Sequence, residues 1–251
     1  MTTIYVDSSK SVSGTDADFD FDIGESVHLQ NSARLGVFKI RVADIFLSTD
    51  RGTYLYWVDA AQGSLNWAQL PVGAYTGVRL AAWISSNFSA ATYTESTNEI
   101  VVAYDGNRRI LNDQELRTQF PGTGSYPASA TPAKPQSINH LLGPGFVTSD
   151  AASQVFSFVV MNPYNELYLR CSSLAANAAR TVGPLGHDIV CKIVCSKGVG
   201  HIMESSTDDA HMVELRGPIT LRYLRFKLTD VDGNVVNLRG TSLSFCLYLD
   251  G

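Results

Sequence analysis

The chain has 251 residues, 45% of them hydrophobic and 17% charged, with a formal net charge of −5. That apolar content excludes disorder throughout, and the acidic balance excludes a general nucleic-acid binder, whose phosphate contacts need a clustered excess of Lys and Arg. No run approaches the roughly eighteen consecutive apolar residues of a membrane helix, and "MTTIYVDSSK" lacks a signal peptide's apolar core, so a soluble protein made in a reducing compartment is expected.

Strand patterns dominate both ends. In "DADFDFDI" Asp16, Asp18, Asp20 and Asp22 alternate with Ala17, Phe19, Phe21 and Ile23, a period of two that predicts a half-buried strand with a charged outer face. Lys39 and Arg41 alternate with Phe38, Ile40 and Val42 in the same way. Residues 64–147 read differently, as an α+β insertion. Thr76 can cap a helix in which Leu80, Trp83, Ile84 and Phe88 form one apolar stripe. "TYTESTNEIVVAYD" predicts a hairpin turning near Ser96 to Asn98, with Ile100, Val102 and Tyr104 on its second strand. "ILNDQELRTQF" and "SINHLLG" predict short helices, Gly143 stopping the second. Between them residues 121–135, rich in Pro, Gly, Ser and Ala, predict a mobile surface loop.

After the insertion, strands are expected over 154–161, 166–173, 219–229 and 235–249, and in "DIVCKIVC", where Ile189, Cys191, Ile193 and Cys195 share a face. Leu243, Phe245, Leu247 and Leu249 line one side of the last strand. Long-range pairing of these strands closes a sandwich, and one compact unit is expected. The sandwich part is assigned to 1–63 and 148–251, with 64–147 inserted.

Little in the chain carries chemistry. "DVDGN" at 230–234 has Gly233 at its fourth position and no closing Glu, unlike a calcium loop, so Asp232-Gly233 predicts a type I′ turn joining the last two strands into a hairpin. No two of His28, His140, His187, His201 and His211 are spaced to share an ion, and they are expected at the surface. Cys171, Cys191, Cys195 and Cys246 lie in apolar strand patterns and predict buried free thiols. Asp208-Asp209 sits in a polar, solvated segment. No nucleophile elbow, phosphate loop or dinucleotide fingerprint is present. The expectation is a protein that is not an enzyme and has no catalytic, cofactor-binding or metal-binding residues. Arg216, Arg222, Arg225, Lys227 and Arg239 make the C-terminal strands basic, suited to meeting the acidic "DADFDFD" in the same chain or in a second copy.

The succession "FDFDIGESVHLQNSARLGVFKIRVADIFLS", "LPVGAYTGVRLAAWI", "YTESTNEIVVAYD", "INHLLG", "YLRCSSLA" and "ITLRYLRFKLTDVDGNVVNLRGTSLSFCLYLD" resembles the penton (minor capsid) proteins of Polinton-like viruses and virophages across most of the chain. The resemblance implies a mainly β protein, a single antiparallel jelly-roll sandwich of eight strands with an inserted α+β segment. It implies a structural protein of the virion, a homopentamer plugging the vertices of an icosahedral shell beside a double-jelly-roll major capsid protein, assembled in the host cytoplasm or nucleus. The other reading is a receptor- or glycan-binding jelly roll such as a fibre head, with Tyr54, Tyr56, Trp57 and Trp67 stacking on the ligand, although core burial explains those aromatics more simply.

Overall fold

A computed structural model of the chain describes residues 2–59, 61, 63–103, 107–143, 147–149, 153–175, 185–207 and 212–250. Four strands open it: β1 (Thr2–Asp7), β2 (Ser13–Thr15), β3 (Asp18–Leu29) and β4 (Arg34–Ala43). The middle contains β5 (Tyr54–Asp59), β6 (Ser64–Gln69), α1 (Gly77–Asn87), β7 (Ala91–Thr94), β8 (Glu99–Ala103), β9 (Arg108–Ile110), α2 (Asp113–Gln119), α3 (Asn139–Leu142), β10 (Val147–Ser149) and β11 (Ser153–Ser157). The remainder is β12 (Glu166–Cys171), α4 (Ser172–Ala175), β13 (Ile189–Val194), β14 (Ile202–Ser205), β15 (Val213–Glu214), β16 (Ile219–Thr229) and β17 (Ser244–Asp250).

Where one compact unit is expected from the sequence, the chain forms two, Met1–Phe46 with Tyr164–Gly251, and Leu47–Pro163 between them. The first unit has two antiparallel sheets. One runs β1-β17-β4-β14, with the short β15 also on β4; the other runs β13-β12-β16-β3-β2. Setting aside the short β2 and β15, eight long strands pair in nested order. The first, β1, pairs with the last, β17, then β3 with β16, β4 with β14, and β12 with β13. A ribbon of nested antiparallel pairs wound into two facing sheets is a jelly roll. Its core follows from the alternation in the strands: Phe19 on β3 meets Phe226 on β16 at 5.6 Å, and Phe226 meets Phe245 on β17 edge-on at 5.0 Å, tying one sheet to the other. Leu243, Phe245, Leu247 and Leu249 are all buried, as their spacing predicts.

The inserted unit interrupts the roll between its third and fourth long strands and is longer at both ends than 64–147. Strand β5 belongs to it because it pairs with β6 on one side and β9 on the other. A second sheet runs β10-β11-β8-β7, and Leu80 and Ile84 of α1, with Phe88 at its C-terminal cap, share a core with Ile100 and Val102 of β8. Thr76 caps α1 through the Arg79 N–H, Asn112 and Glu115 form a reciprocal capping box on α2, and Gly143 ends α3 in the left-handed conformation. The hairpin expected at 92–105 is β7 and β8; Tyr104 and Asp105 lie outside the described residues.

Three expectations are corrected. The C-terminal run is not a long hairpin, since β16 and β17 lie in different sheets. The Asp-Gly turn exists, with Gly233 N–H donating to the Asp230 carbonyl at 3.2 Å and Asp230 N–H to that of Asn234 at 3.0 Å. Only Gly233 has positive φ, so the loop closes on a glycine bulge, not a type I′ turn. Pairing ends after the Thr229–Val235 bridge because β3 occupies that edge of β16 from Ile219 to Lys227; the chain then crosses through Val236, Leu238 and Leu243, all buried, to the other sheet.

The second correction is at Phe38, which the alternation places inward with Ile40 and Val42. Lys39 adopts φ +50, and the β17–β4 register slips between Ser244 and Cys246. One extra residue enters β4, so Leu35, Val37, Ile40 and Val42 point inward while Phe38 turns out to solvent. The third is residues 121–135, expected to be mobile. They form a packed strap: Tyr126 and Ala130 are buried in a core with Tyr54, Tyr56, Leu65, Leu111 and Leu116, and the Tyr126 hydroxyl donates to the carbonyls of Leu116 and Phe120.

Candidate functional site

The two outer faces of the sandwich differ in chemistry. On the face built by β3 and β16, Asp18 lies 3.1 Å from Arg225 and 3.6 Å from Lys227, while Asp22 lies 3.4 Å from Arg222. Asp20 accepts from the Ser13 hydroxyl at 2.7 Å. The next strands add Lys192–Glu166 at 2.9 Å, and the Tyr168 hydroxyl beside Glu166 holds its carboxyl below the usual carboxylate range, with Lys192 adding to the effect. The acidic and basic strands are therefore neighbours in one sheet, and their charges meet within the chain. Each exposed pair is worth about 0.2–1 kcal/mol and is screened by salt, and Tyr223 stands 59% exposed among them, with the Arg222 guanidinium 5.6 Å from its ring centroid.

The face built by β1, β17 and β4 carries ion pairs too, Arg34–Asp250 at 2.9 Å and Arg41–Glu204 at 3.2 Å, and between them an apolar row. Tyr5 pairs with Cys246, and Cys246 pairs with Phe38, so three outward side chains form one row across three strands. Tyr5 is 79% exposed and Phe38 50%; Cys246 between them is covered. They line a cleft of about 490 Å³ with Asp7, Lys39 and Ser244 at its margins. The Lys39 ammonium sits 5.5 Å from the Phe38 ring centroid and its backbone N–H donates to the Ser206 hydroxyl at 2.9 Å, which pins the bulge. No sequence signal marks this row, because the bulge that turns Phe38 outward carries neither Gly nor Pro.

The opposite edge of the sandwich carries a second apolar group. Val194 ends β13, Ile202 begins β14, and Val199 lies in the connection between them; each is more than half exposed.

A polar niche of about 270 Å³ lies among Arg170, Asp188, Lys227, Thr229 and Asp232. Its guanidinium is spoken for: Arg170 Nη1 meets Asp188 at 2.6 Å and Nε donates to the Thr229 hydroxyl at 2.8 Å. This is a structural clamp between β12 and β16, close to where β12 bulges against β13.

The residues that could have carried chemistry are dispersed. His28 bonds the Thr220 hydroxyl at 2.7 Å at the surface, and His187 and His201 are exposed. His140 departs from the surface placement expected of it. Its ring is held between the carbonyls of Ser48 at 2.8 Å and Ser137 at 3.1 Å, and burial pushes its pKa down. His211, Asp208 and Asp209 lie outside the described residues. Among the described residues no group of three His, Cys, Asp or Glu could hold a metal ion, and no helix is long and apolar enough to cross a membrane. All four cysteines are free; Cys171, Cys191 and Cys246 are buried and Cys195 partly so. Desolvation pushes the Cys171 and Cys195 thiols up to about 12, which disfavours the nucleophilic thiolate. Tyr54 and Tyr56 are buried, with hydroxyls on Ser129 and Pro135, and Trp57 packs on Phe88 at 5.2 Å, so of the four aromatics considered for ligand stacking only Trp67 is exposed.

No protein-family model matches the chain, and no curated protein matches it either. Two solved structures are similar along its whole length. The crystal structure of selenomethionine-labelled mavirus penton protein has 7% identity and a TM-score of 0.45, covering 99% of each chain. The cryo-EM structure of the Sputnik virophage has 11% identity and a TM-score of 0.45, covering 99% of this chain and 97% of that one.

Proposed function

We propose that the chain is a structural protein of a viral capsid, a homopentameric plug at the vertices of an icosahedral shell. The observation that carries this reading is the nested pairing of the eight long strands, which is the single jelly roll implied by the sequence resemblance to penton proteins. A jelly roll is a rigid block whose flanks can meet identical flanks around a closed ring. The distribution of chemistry supports the same reading: three of the four thiols are buried, the ion pairs of the β3–β16 face are made within the chain, and large apolar side chains are exposed on both faces and one edge. Fold alone does not assign function, so the weight rests on fold, sequence pattern and surface together.

In this role the roll supplies the ring and the inserted unit supplies a module free to vary without disturbing the nested ladder. The partners are further copies of the chain and a double-jelly-roll major capsid protein, and the location is the virion. Coexpression of the major capsid protein with and without this chain, followed by imaging of the particles, tests the proposal. Vertices filled by five copies only when the chain is present are expected. Vertices filled in its absence, or the chain seated as trimeric spikes, would reject the vertex role in favour of a receptor-binding module.

A further inference from the structure

We infer that the connection between β13 and β14 is a proton-operated flap, closed over the Asp44 carboxyl while that group carries its proton and opened when the proton is lost. The inference stands apart from the vertex reading, because it concerns one loop within a single copy of the roll.

Residues 195–201 fold back over the end of β4. Asp44 N–H donates to the His201 carbonyl at 2.8 Å, Gly200 N–H donates to the Asp44 carbonyl at 2.7 Å, and Gly198 N–H donates to one carboxyl oxygen of Asp44 at 2.8 Å. Asp44 therefore holds the loop at three points. The residue is 0% exposed, and its other carboxyl oxygen has no hydrogen-bond partner among the described residues. Water gives a carboxylate donors on both oxygens, so closing the loop over the ionised group leaves one oxygen of an anion dry and unpaired. The neutral acid gives up far less. The amides of Gly198 and Phe46 favour the anion, but burial outweighs them. Closing thus takes up a proton, and losing that proton favours opening.

The loop is built to move. Gly198 and Gly200 hold φ +87 and +93, a region open to glycine without a Cβ penalty, and no neighbouring atom crowds either. Between them Val199 is 52% exposed, and Lys197 is exposed before them, so opening uncovers little apolar surface. Both ends are anchored: Cys195 packs on the core, and β14 pairs with β4 from Ile202 onward. The neighbouring titratable groups leave Asp44 as the sensor. His201, the ionisable side chain at the end of the loop, favours the carboxylate when it is a cation. The Cys195 thiol, which feels both Asp44 and Glu166, is pushed up to about 12 and stays neutral. Glu166 is held as the anion by Tyr168 and Lys192.

Amide hydrogen exchange on the full chain, from about pH 4.5 to about pH 7.5 and corrected for intrinsic rates, tests the flap. The Gly198 and Gly200 amides are expected to lose protection as pH rises, by up to about tenfold per pH unit, since opening releases one proton. The Leu228 amide, bonded to the Ala17 carbonyl in the core of the same roll, is expected to keep its protection. Asp44→Asn has no proton to lose and is expected to give a flat profile at both glycines, whereas His201→Gln is expected to keep the slope. A reading that needs no variant is the Asp44 carboxyl carbon followed by NMR in the wild type, which is expected to titrate above 3.8. A flat wild-type profile, a slope that survives in Asp44→Asn or vanishes in His201→Gln, or an equal loss of protection at Leu228 would overturn the flap. So would a carboxyl that titrates at or below 3.8.

Discussion

Tyr56 donates its hydroxyl to the carbonyl of Pro135 at 2.6 Å, a buried bond between residues 79 positions apart. It fastens the end of the strap at 121–135 to the strand beneath it, and Tyr126 fastens the middle. Tyr56→Phe keeps the ring and leaves the Pro135 carbonyl without this donor, so a loss of about 1–2 kcal/mol is expected. Tyr126→Ala removes a buried ring and is expected to cost about 3–5 kcal/mol. Urea denaturation measures both. Limited proteolysis gives the second reading: the wild-type strap resists cleavage while the Tyr126 variant is cut within 121–135, and rapid cutting of both would refute a packed strap.

Arg170 and Asp188 are joined at 2.6 Å with side chains 10% and 25% exposed. Removing one member of a largely enclosed pair strands the other, which costs about 3–5 kcal/mol when burial is complete and less here, because Asp188 is still reached by solvent. Asp188→Asn is therefore expected to lower stability by about 2–3 kcal/mol. A double variant, Arg170→Met with Asp188→Leu, removes both charges and is expected to lose less than the sum of the single losses. Strict additivity in that cycle would show that the two groups do not depend on each other.

Much of the roll is legible from local periodicity. Alternation places Phe19, Phe245 and Leu247 in the core, and the signals at Thr76 and Gly143 mark the helix ends where they fall. The nested pairing is not local; it entered through the resemblance of the whole succession of elements. What escaped the sequence has a common cause, competition from a distant segment. Asp232-Gly233 does turn the chain, but β3 already occupies the edge that a hairpin would need. The Pro- and Gly-rich composition of 121–135 describes its backbone and says nothing of Tyr126, whose burial orders it. The cleft was invisible because a single added residue in β4 reverses the side on which Phe38 emerges.

That added residue supports a prediction of its own. Lys39 sits at φ +50, where glycine carries no Cβ penalty and a β-branched side chain is strongly disfavoured. Lys39→Gly is expected to be neutral or stabilising by up to about 1 kcal/mol, the relief of strain offsetting the lost contact with the Phe38 ring and the freer unfolded chain. Lys39→Val is expected to destabilise by about 1–2 kcal/mol. Equal stability of the Gly and Val variants would show that no left-handed residue exists there.

Asp44 and Glu166 shift in opposite directions and so predict opposite pH dependences. Asp44 is fully buried; Gly198 N–H donates to one carboxylate oxygen at 2.8 Å, and the other has no hydrogen-bond partner among the described residues. Burial raises its pKa above 3.8, against the lowering effects of the Gly198 and Phe46 amides and of His201. The folded chain then keeps this proton to higher pH than the unfolded chain does. Its ionisation costs stability as pH rises from the unfolded value through the folded one. Glu166, lowered from 4.5 by the Tyr168 hydroxyl and then by Lys192, contributes stability that is present above 4.5 and lost as pH falls through its folded value. Urea midpoints of wild type, Asp44→Asn and Glu166→Gln, measured from about pH 4 to about pH 7, separate the two. Relative to wild type, the Asp44 variant is expected to improve as pH rises and the Glu166 variant to worsen. Parallel profiles for all three would mean that neither carboxyl titrates differently in the folded and unfolded chain.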